Sequence, residues 1–139
     1  MASDCSTLKP GDVLLVVEDE QFLLNYMHRI LSRDGYNVLA ASNAQDAWDL
    51  FQQEAPRVRA VVTDICMPGD WDGLDLVRHV SEVAPDIPVL FVTGYPPPGL
   101  LDPGRSLLEK PFTADLLKAA VKRLVGAAAT LVGAQAGAA

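Results

Sequence analysis

The sequence predicts a doubly wound α/β domain built on a five-stranded parallel sheet. Two observations predict it: short apolar runs rich in branched residues alternate with stretches of helical apolar periodicity, and the chain is 139 residues long, half of them apolar. That length holds one domain with a sizeable core. Strands that alternate with helices pair in parallel, because right-handed crossovers lay the helices above and below the sheet.

The runs read as strands are Val13 to Val17, Asn37 to Ala41, Ala60 to Thr63, Pro88 to Thr93 and Ser106 to Leu108. Their branched side chains suit strands buried on both faces. Between the first two, Leu23, Met27, Ile30 and Leu31 recur at helical spacing, and Gly35 supplies a stop. A second helix opens with Ser42 and Gln45 in capping-box spacing, turns Ala44, Ala47, Trp48 and Phe51 inward, and ends at Pro56. The third runs from about Leu74 to Ala84 with Leu74, Val77, Val80 and Val83 or Ala84 inward, and Pro85 closes it. The last, Thr113 to Val125, places Leu116, Leu117, Ala120, Val121 and Leu124 on one side. The rhythm breaks between the fourth and fifth strands, where four prolines and three glycines from Gly94 to Arg105 leave the expected helix short or absent.

Residues 1–11 form a leader, 12–125 the domain, and 126–139 a small-residue tail that either extends the last helix or stays unordered. Eleven Lys and Arg against eighteen Asp and Glu give a net charge of -7, the wrong sign for gripping a phosphate backbone, and no basic stripe offsets it. Direct nucleic-acid binding is not expected. Cys5 and Cys66 are too few for a disulfide framework, which fits a reducing cytoplasm. No apolar run approaches the roughly 20 residues of a membrane span, so no membrane partner is expected.

Ligands of open α/β sheets gather at the carboxyl ends of the strands. There the first run ends in Glu18-Asp19-Glu20, the third in Asp64, the fourth in Thr93 and the fifth in Glu109-Lys110-Pro111. Carboxylates crowded together repel one another unless a cation neutralises them, and Mg²⁺ is the economical one. Acids, a hydroxyl and an ammonium are the equipment for holding a phosphoryl group. Taken singly, each acid is more often a helix cap, Thr93 an ordinary strand residue and Lys110 a solvated one. Their joint appearance at four strand ends reverses that balance.

At these residues the chain resembles the bacterial response-regulator receiver domain of two-component and phosphorelay signalling. The resemblance rests on Val16-Val17-Glu18-Asp19-Glu20, Val62-Thr63-Asp64-Ile65-Cys66-Met67-Pro68 with Asp72-Gly73-Leu74, Phe91-Val92-Thr93-Gly94-Tyr95, and Glu109-Lys110-Pro111-Phe112. It implies a flavodoxin-like strand order, 2-1-3-4-5. It implies that Asp64 accepts phosphorus from a phosphohistidine on a histidine kinase or histidine phosphotransfer protein, without the protein being an enzyme in the ordinary sense. Mg²⁺, or Mn²⁺, is implied at Glu18, Asp19, Asp64 and the backbone carbonyl of Cys66, with Lys110 stabilising the transferring oxygens and Thr93 donating its hydroxyl afterwards. A cis Lys110-Pro111 peptide bond and a downstream protein target are implied as well.

The chain departs from the family pattern in four places. Glu18 replaces the more frequent aspartate, so direct ligation gives way to a water-mediated one if the longer side chain overreaches. Leu107 stands where an aromatic switch is usual. The loop through Gly69-Asp70-Trp71-Asp72 is one residue longer than common, which sets Trp71 at the rim of the site or against a partner. Gly94-Tyr95 before Pro96 resembles the subgroup with a Phe-x-Thr-Gly-Tyr run and an abbreviated fourth helix, leaving Tyr95 to take over part of the aromatic's work. His28 and His79 read as surface or satisfied helix residues, Trp48 as core, and Cys66 as a small packed residue. Two alternatives stand beside the autonomous receiver: a receiver module of a hybrid histidine kinase, and an aspartate-nucleophile phosphatase. The second wants another acid two residues after the nucleophile, where this chain has Cys66.

Overall fold

The structure, a computed structural model, describes residues 10–96 and 105–138. Strand β1, Val13–Val17, is buried at every position, as its unbroken apolar run requires. It lies between β2, Val38–Ala41, and β3, Val58–Asp64; β4, Val89–Thr93, and β5, Arg105–Glu109, complete a parallel sheet in the order β2-β1-β3-β4-β5. Strand β3 starts two residues earlier than Ala60 because Arg59 points to solvent while Val58 stays buried, an alternation that interrupts the run without ending the strand.

Neighbouring residues along each strand feed opposite layers. Leu14, Val16, Ala60, Val62, Leu90 and Val92 pack under α1, Gln21–Arg33, and α4, Ala114–Ala138. Val13, Leu15, Val17, Val61, Val89 and Phe91 pack under α2, Ala44–Glu54, and α3, Gly73–Val83. Helix α1 buries Leu24, Met27, Ile30 and Leu31, and the chain leaves it through Gly35 at φ 99°, a left-handed conformation that favours glycine. Leu23 is only partly buried, against the same core.

Several expectations shift by one residue. The cap of α2 is Asn43, whose side chain accepts the Asp46 amide at 2.8 Å, rather than Ser42 paired with Gln45. The Asn43/Asp46 pair has the same spacing one step later, where the chain has already left β2. In α3 the buried set is Gly73, Leu76, Val77 and Val80; Leu74 is partly buried and Val83 is exposed. The reason is that the helix is phased by Gly73, which sits against the backbone of β3. Leu116 is likewise exposed, and Val125 joins Leu117, Ala120, Val121 and Leu124 inside. The backbone of α4 continues through Ala138, so the tail extends the last helix. The short or absent helix expected between β4 and β5 falls largely on residues 97–104, outside the described residues.

Gly73 positions the site directly. Its amide donates to the Ile65 carbonyl at 2.8 Å, and a Cβ there would collide with the Asp64 carbonyl. Both contacts involve backbone, which cannot swing away. Gly73→Ala is therefore expected to cost about 3 kcal/mol or more, as overpacking against main chain does. Urea unfolding measures it; a loss below about 1 kcal/mol would contradict this close approach.

Candidate functional site at the carboxyl ends of the strands

The parallel register brings the expected residues to one edge of the sheet. Val17 pairs with Thr63 and Asp64 with Val92, so the residue after β1, Glu18, lies beside the last residue of β3. Thr93 pairs with Glu109, and the Lys110 amide donates to the Thr93 carbonyl at 2.9 Å. The lysine and the threonine are thus tied through main chain before any side chain is considered.

Lys110 reaches back between two acids. Its Nζ donates to Asp64 Oδ2 at 2.7 Å and to Glu18 Oε1 at 2.9 Å. Both carboxylates are buried, Glu18 to 1 % exposure and Asp64 to 5 %. Charge-assisted bonds of this length are among the stronger polar contacts, and they offset part of the cost of burying two like charges. The other Glu18 oxygen accepts the Glu20 amide at 3.0 Å, and Asp64 Oδ1 accepts the Cys66 amide at 3.2 Å.

Burial pushes the Glu18 carboxyl above its ordinary value of 4.5; its bonds to Lys110 and the Glu20 amide pull it down, and the Asp64 charge pushes it up again. Burial alone would lower the Lys110 ammonium, but its bonds to Asp64 and Glu18 outweigh that and hold it above 10.5. A lysine raised in the folded state contributes stability that persists below 10.5 and is lost only as pH climbs through the raised value. The ammonium is therefore charged across the neutral range.

Among the described residues, Glu18, Asp19 and Asp64 form a group able to hold a metal ion, with carboxylate oxygens within 4.8 Å of one another. Around an octahedral Mg²⁺ the ligand oxygens stand roughly 3 to 4.2 Å apart, so this donor set fits with small adjustments. Asp19 is exposed at the mouth while the other two are buried. Three hard oxygen donors with no thiolate or imidazole suit Mg²⁺ or Mn²⁺ rather than Zn²⁺.

Thr93 is buried, and its Oγ1 accepts the Tyr95 amide at 3.2 Å. The Tyr95 ring is 84 % exposed, and Gly94 before it has open space where a side chain would project. Leu107 is partly buried against the layer of α2 and α3. The Lys110-Pro111 bond is cis, as the resemblance implied.

One expectation needs correction. Cys66 is exposed, not packed, because Ile65 and Met67 on either side take the inward positions and turn it out. Trp71, expected at the rim of the site or against a partner, is half-buried: its ring stacks on His79 at 3.9 Å and leans on Trp48 at 6.3 Å. His79, read from sequence as a satisfied helix residue, is indeed satisfied, its Nδ1 donating to the Asp75 carbonyl at 2.8 Å. His28 lies exposed on α1 near Ser32, and Trp48 is partly rather than fully buried. No single-sequence signal couples Trp71 to His79, since they belong to a loop and a helix with different periods. The Glu18–Lys110 bond was equally hidden, because its partners are far apart in the chain and an acid after a strand looks like a cap.

Lys110→Ala is expected to lower stability at neutral pH by about 2 kcal/mol, less than for a fully buried pair because the lysine is partly exposed. The same change should push the Glu18 carboxyl higher still. A carboxyl raised in the folded state favours folding most below 4.5 and loses that advantage as pH rises through the raised value. The variant's stability should accordingly fall from acid to neutral pH relative to wild type in urea titrations; parallel curves would contradict the shared bridge.

The comparisons with known proteins converge. A family model described as the response regulator receiver domain matches residues 14–122. The response regulator receiver protein CpdR of Brucella abortus is 32% identical over 120 residues, covering 82% of this chain and 98% of that protein. The sensor kinase CckA of Brucella abortus is 32% identical over 123 residues, 85% of this chain but only 13% of the kinase. The crystal structure of a response regulator receiver protein from Sinorhizobium medicae WSM419 superposes with a TM-score of 0.77 at 30% identity, covering 84% of this chain and 96% of that one. Among the described residues no helix is long and apolar enough to cross a membrane.

Proposed function

The chain belongs to the response regulator receiver family and is a receiver domain of two-component signalling, and from that premise we propose that Asp64 is its phosphoacceptor. The observation that carries the proposal is the Lys110 ammonium at 2.7 Å from Asp64, beside the carboxylates of Glu18 and Asp19. An Asp64 oxygen bonds to phosphorus as the phosphorus–nitrogen bond of a phosphohistidine breaks, and the freed imidazole leaves with the electron pair and takes up a proton. Negative charge spreads over the three equatorial oxygens, and positioned cations stabilise it. Lys110, already aimed at Asp64, is one of them.

Glu18, Asp19, Asp64 and the Cys66 carbonyl would hold Mg²⁺ or Mn²⁺, which when bound supplies a second, divalent charge to the same oxygens. Glu18 enters that set already engaged by Lys110 and the Glu20 amide. With its longer side chain so engaged, Glu18 would contact the ion through water.

Once formed, the acyl phosphate adds acceptor oxygens where the unmodified protein has a carboxylate pair. Lys110 satisfies one of them. The Thr93 hydroxyl, whose oxygen accepts the Tyr95 amide in the unmodified protein, donates to another and draws the Gly94–Tyr95 turn with it. With Leu107 in place of an aromatic and Tyr95 projecting outward, the readout is movement of that turn and not the burial of a ring beside Pro111. The signal leaves by contact with a downstream protein or by relay in the cytoplasm, and the phosphoryl donor is a histidine kinase or histidine phosphotransfer protein. The match to a short part of sensor kinase CckA supports a second reading, a receiver module of a hybrid kinase, with the same chemistry at Asp64.

Acetyl phosphate with Mg²⁺ should add one phosphoryl group by intact mass, and Asp64→Asn should take up none. Undiminished labelling of that variant would move the acceptor elsewhere.

A further inference from the structure

The segment joining Asp64 to α3 carries Cys66, whose carbonyl is the ligand proposed above, yet little fixes its far half. Ile65 and Met67 are buried, whereas Pro68, Gly69 and Asp70 are all exposed. Gly69 turns the chain at φ 107°, with only the tip of Gln45 near the place a side chain would occupy. A glycine turn between exposed neighbours costs little to deform. Trp71 is the next residue withdrawn from solvent, and its indole lies on the His79 ring with 20° between the planes.

His79 is itself held from two sides. Its Nδ1–H donates to the Asp75 carbonyl one helical turn earlier. Trp48 of α2 meets it edge-on at 5.5 Å, and Trp48 is stacked in turn on the buried Phe51. Asp75 belongs to the reciprocal cap with Asp72 that starts α3, each side chain accepting the other's amide at 2.9 and 3.0 Å. The ring is therefore a fixed plate, anchored to two helices, on which the movable end of the loop rests.

We propose that His79 is a positioning residue for the metal site: by clamping Trp71 it holds the loop from Cys66 to Trp71 in the shape that presents the Cys66 carbonyl beside Asp64. This rests on the reading of Asp64 and its acidic neighbours as the phosphoacceptor centre. His79 touches neither the ion nor the acceptor and acts through the loop alone. A partner held in place by a second layer of contacts commonly shifts metal affinity when that layer is removed. Aromatic pairs of this kind depend on the flat face of the ring and only weakly on its polar atoms. Phenylalanine at position 79 should therefore serve where alanine does not.

The test measures ¹⁵N relaxation order parameters of residues 66–71 in the ion-free protein and titrates Mg²⁺ directly by the shift of the Cys66 amide signal. In His79→Ala the loop order parameters should fall from about 0.85 toward about 0.6, and Mg²⁺ should bind about tenfold more weakly. His79→Phe should restore both. Val80→Ala, on the next position of the same helix, should lower overall stability and leave both readouts at wild-type values. Should His79→Ala fail to fold, Trp71→Ala removes the stack from the loop side and carries the same expectation. Unchanged loop order in the alanine variant, or no restoration by phenylalanine, would overturn the proposal. A wild-type protein that takes up no Mg²⁺ would sink the reading of the acidic site instead, while the loop measurement still decides whether His79 holds Trp71.

Discussion

One ammonium shared by two buried carboxylates governs the architecture of this site. Glu18 and Asp64 come from different strands, and neither belongs in a nearly dry environment next to the other without a counter-charge. Lys110, from the end of a third strand, supplies it at hydrogen-bond distance from both. The order of the sheet is what makes this possible, because β1 lies beside β3 and the Lys110 amide is fastened to the end of β4. The bridge also sets the terms on which any further cation enters, since the oxygens of Glu18 and Asp64 already have donors. Glutamate at position 18 fits this arrangement: its longer side chain folds back far enough to accept its own loop's amide at Glu20 while still reaching the lysine.

The surrounding fold is arranged to hold that bridge in register. Strands β1, β3 and β4 are buried throughout or nearly so, which leaves the sheet few ways to slip, because a one-residue shift would send each apolar set to the wrong layer. At the end of β3 the absence of a side chain at Gly73 lets α3 press against the backbone of Asp64. What remains adjustable is the turn at Gly94–Tyr95, with its hydroxyl contact to Thr93. A rigid acid cluster beside an adjustable turn is the arrangement a signalling module requires.

Much of this was legible in the sequence, for a physical reason. Buried parallel strands must be apolar, so their ends are marked wherever polarity resumes, and Glu18, Asp64, Thr93 and Lys110 each stand at such a mark. The element order and the sheet followed from the same alternation. What the sequence concealed were relations between elements. The phase of α3 is set by Gly73 meeting β3, so periodicity alone left Val83 and Ala84 open as the last inward residue, and it is Ala84 that packs on the core while Val83 is exposed. Asn43 displaced Ser42 as the cap of α2 because two neighbouring residues offer the same chemistry. The stack of Trp71 on His79 was hidden because nothing within the loop reveals that an imidazole waits on the adjoining helix. Cys66 looked packed because small apolar residues usually are, although its two neighbours claim the inward positions.

Glu18, Asp19 and Asp64 converge on the place we assign to one divalent ion, next to the lysine bridge. Paramagnetic broadening of amide signals by sub-stoichiometric Mn²⁺ tests that assignment most directly, because the effect falls steeply with distance and needs no phosphoryl donor. The signals of residues 18–20 and 64–66 should vanish first, Thr93 and Lys110 next, while Val13, Val58 and Val89 at the opposite ends of the same strands stay sharp. Broadening centred anywhere else, or none at all, would contradict the account.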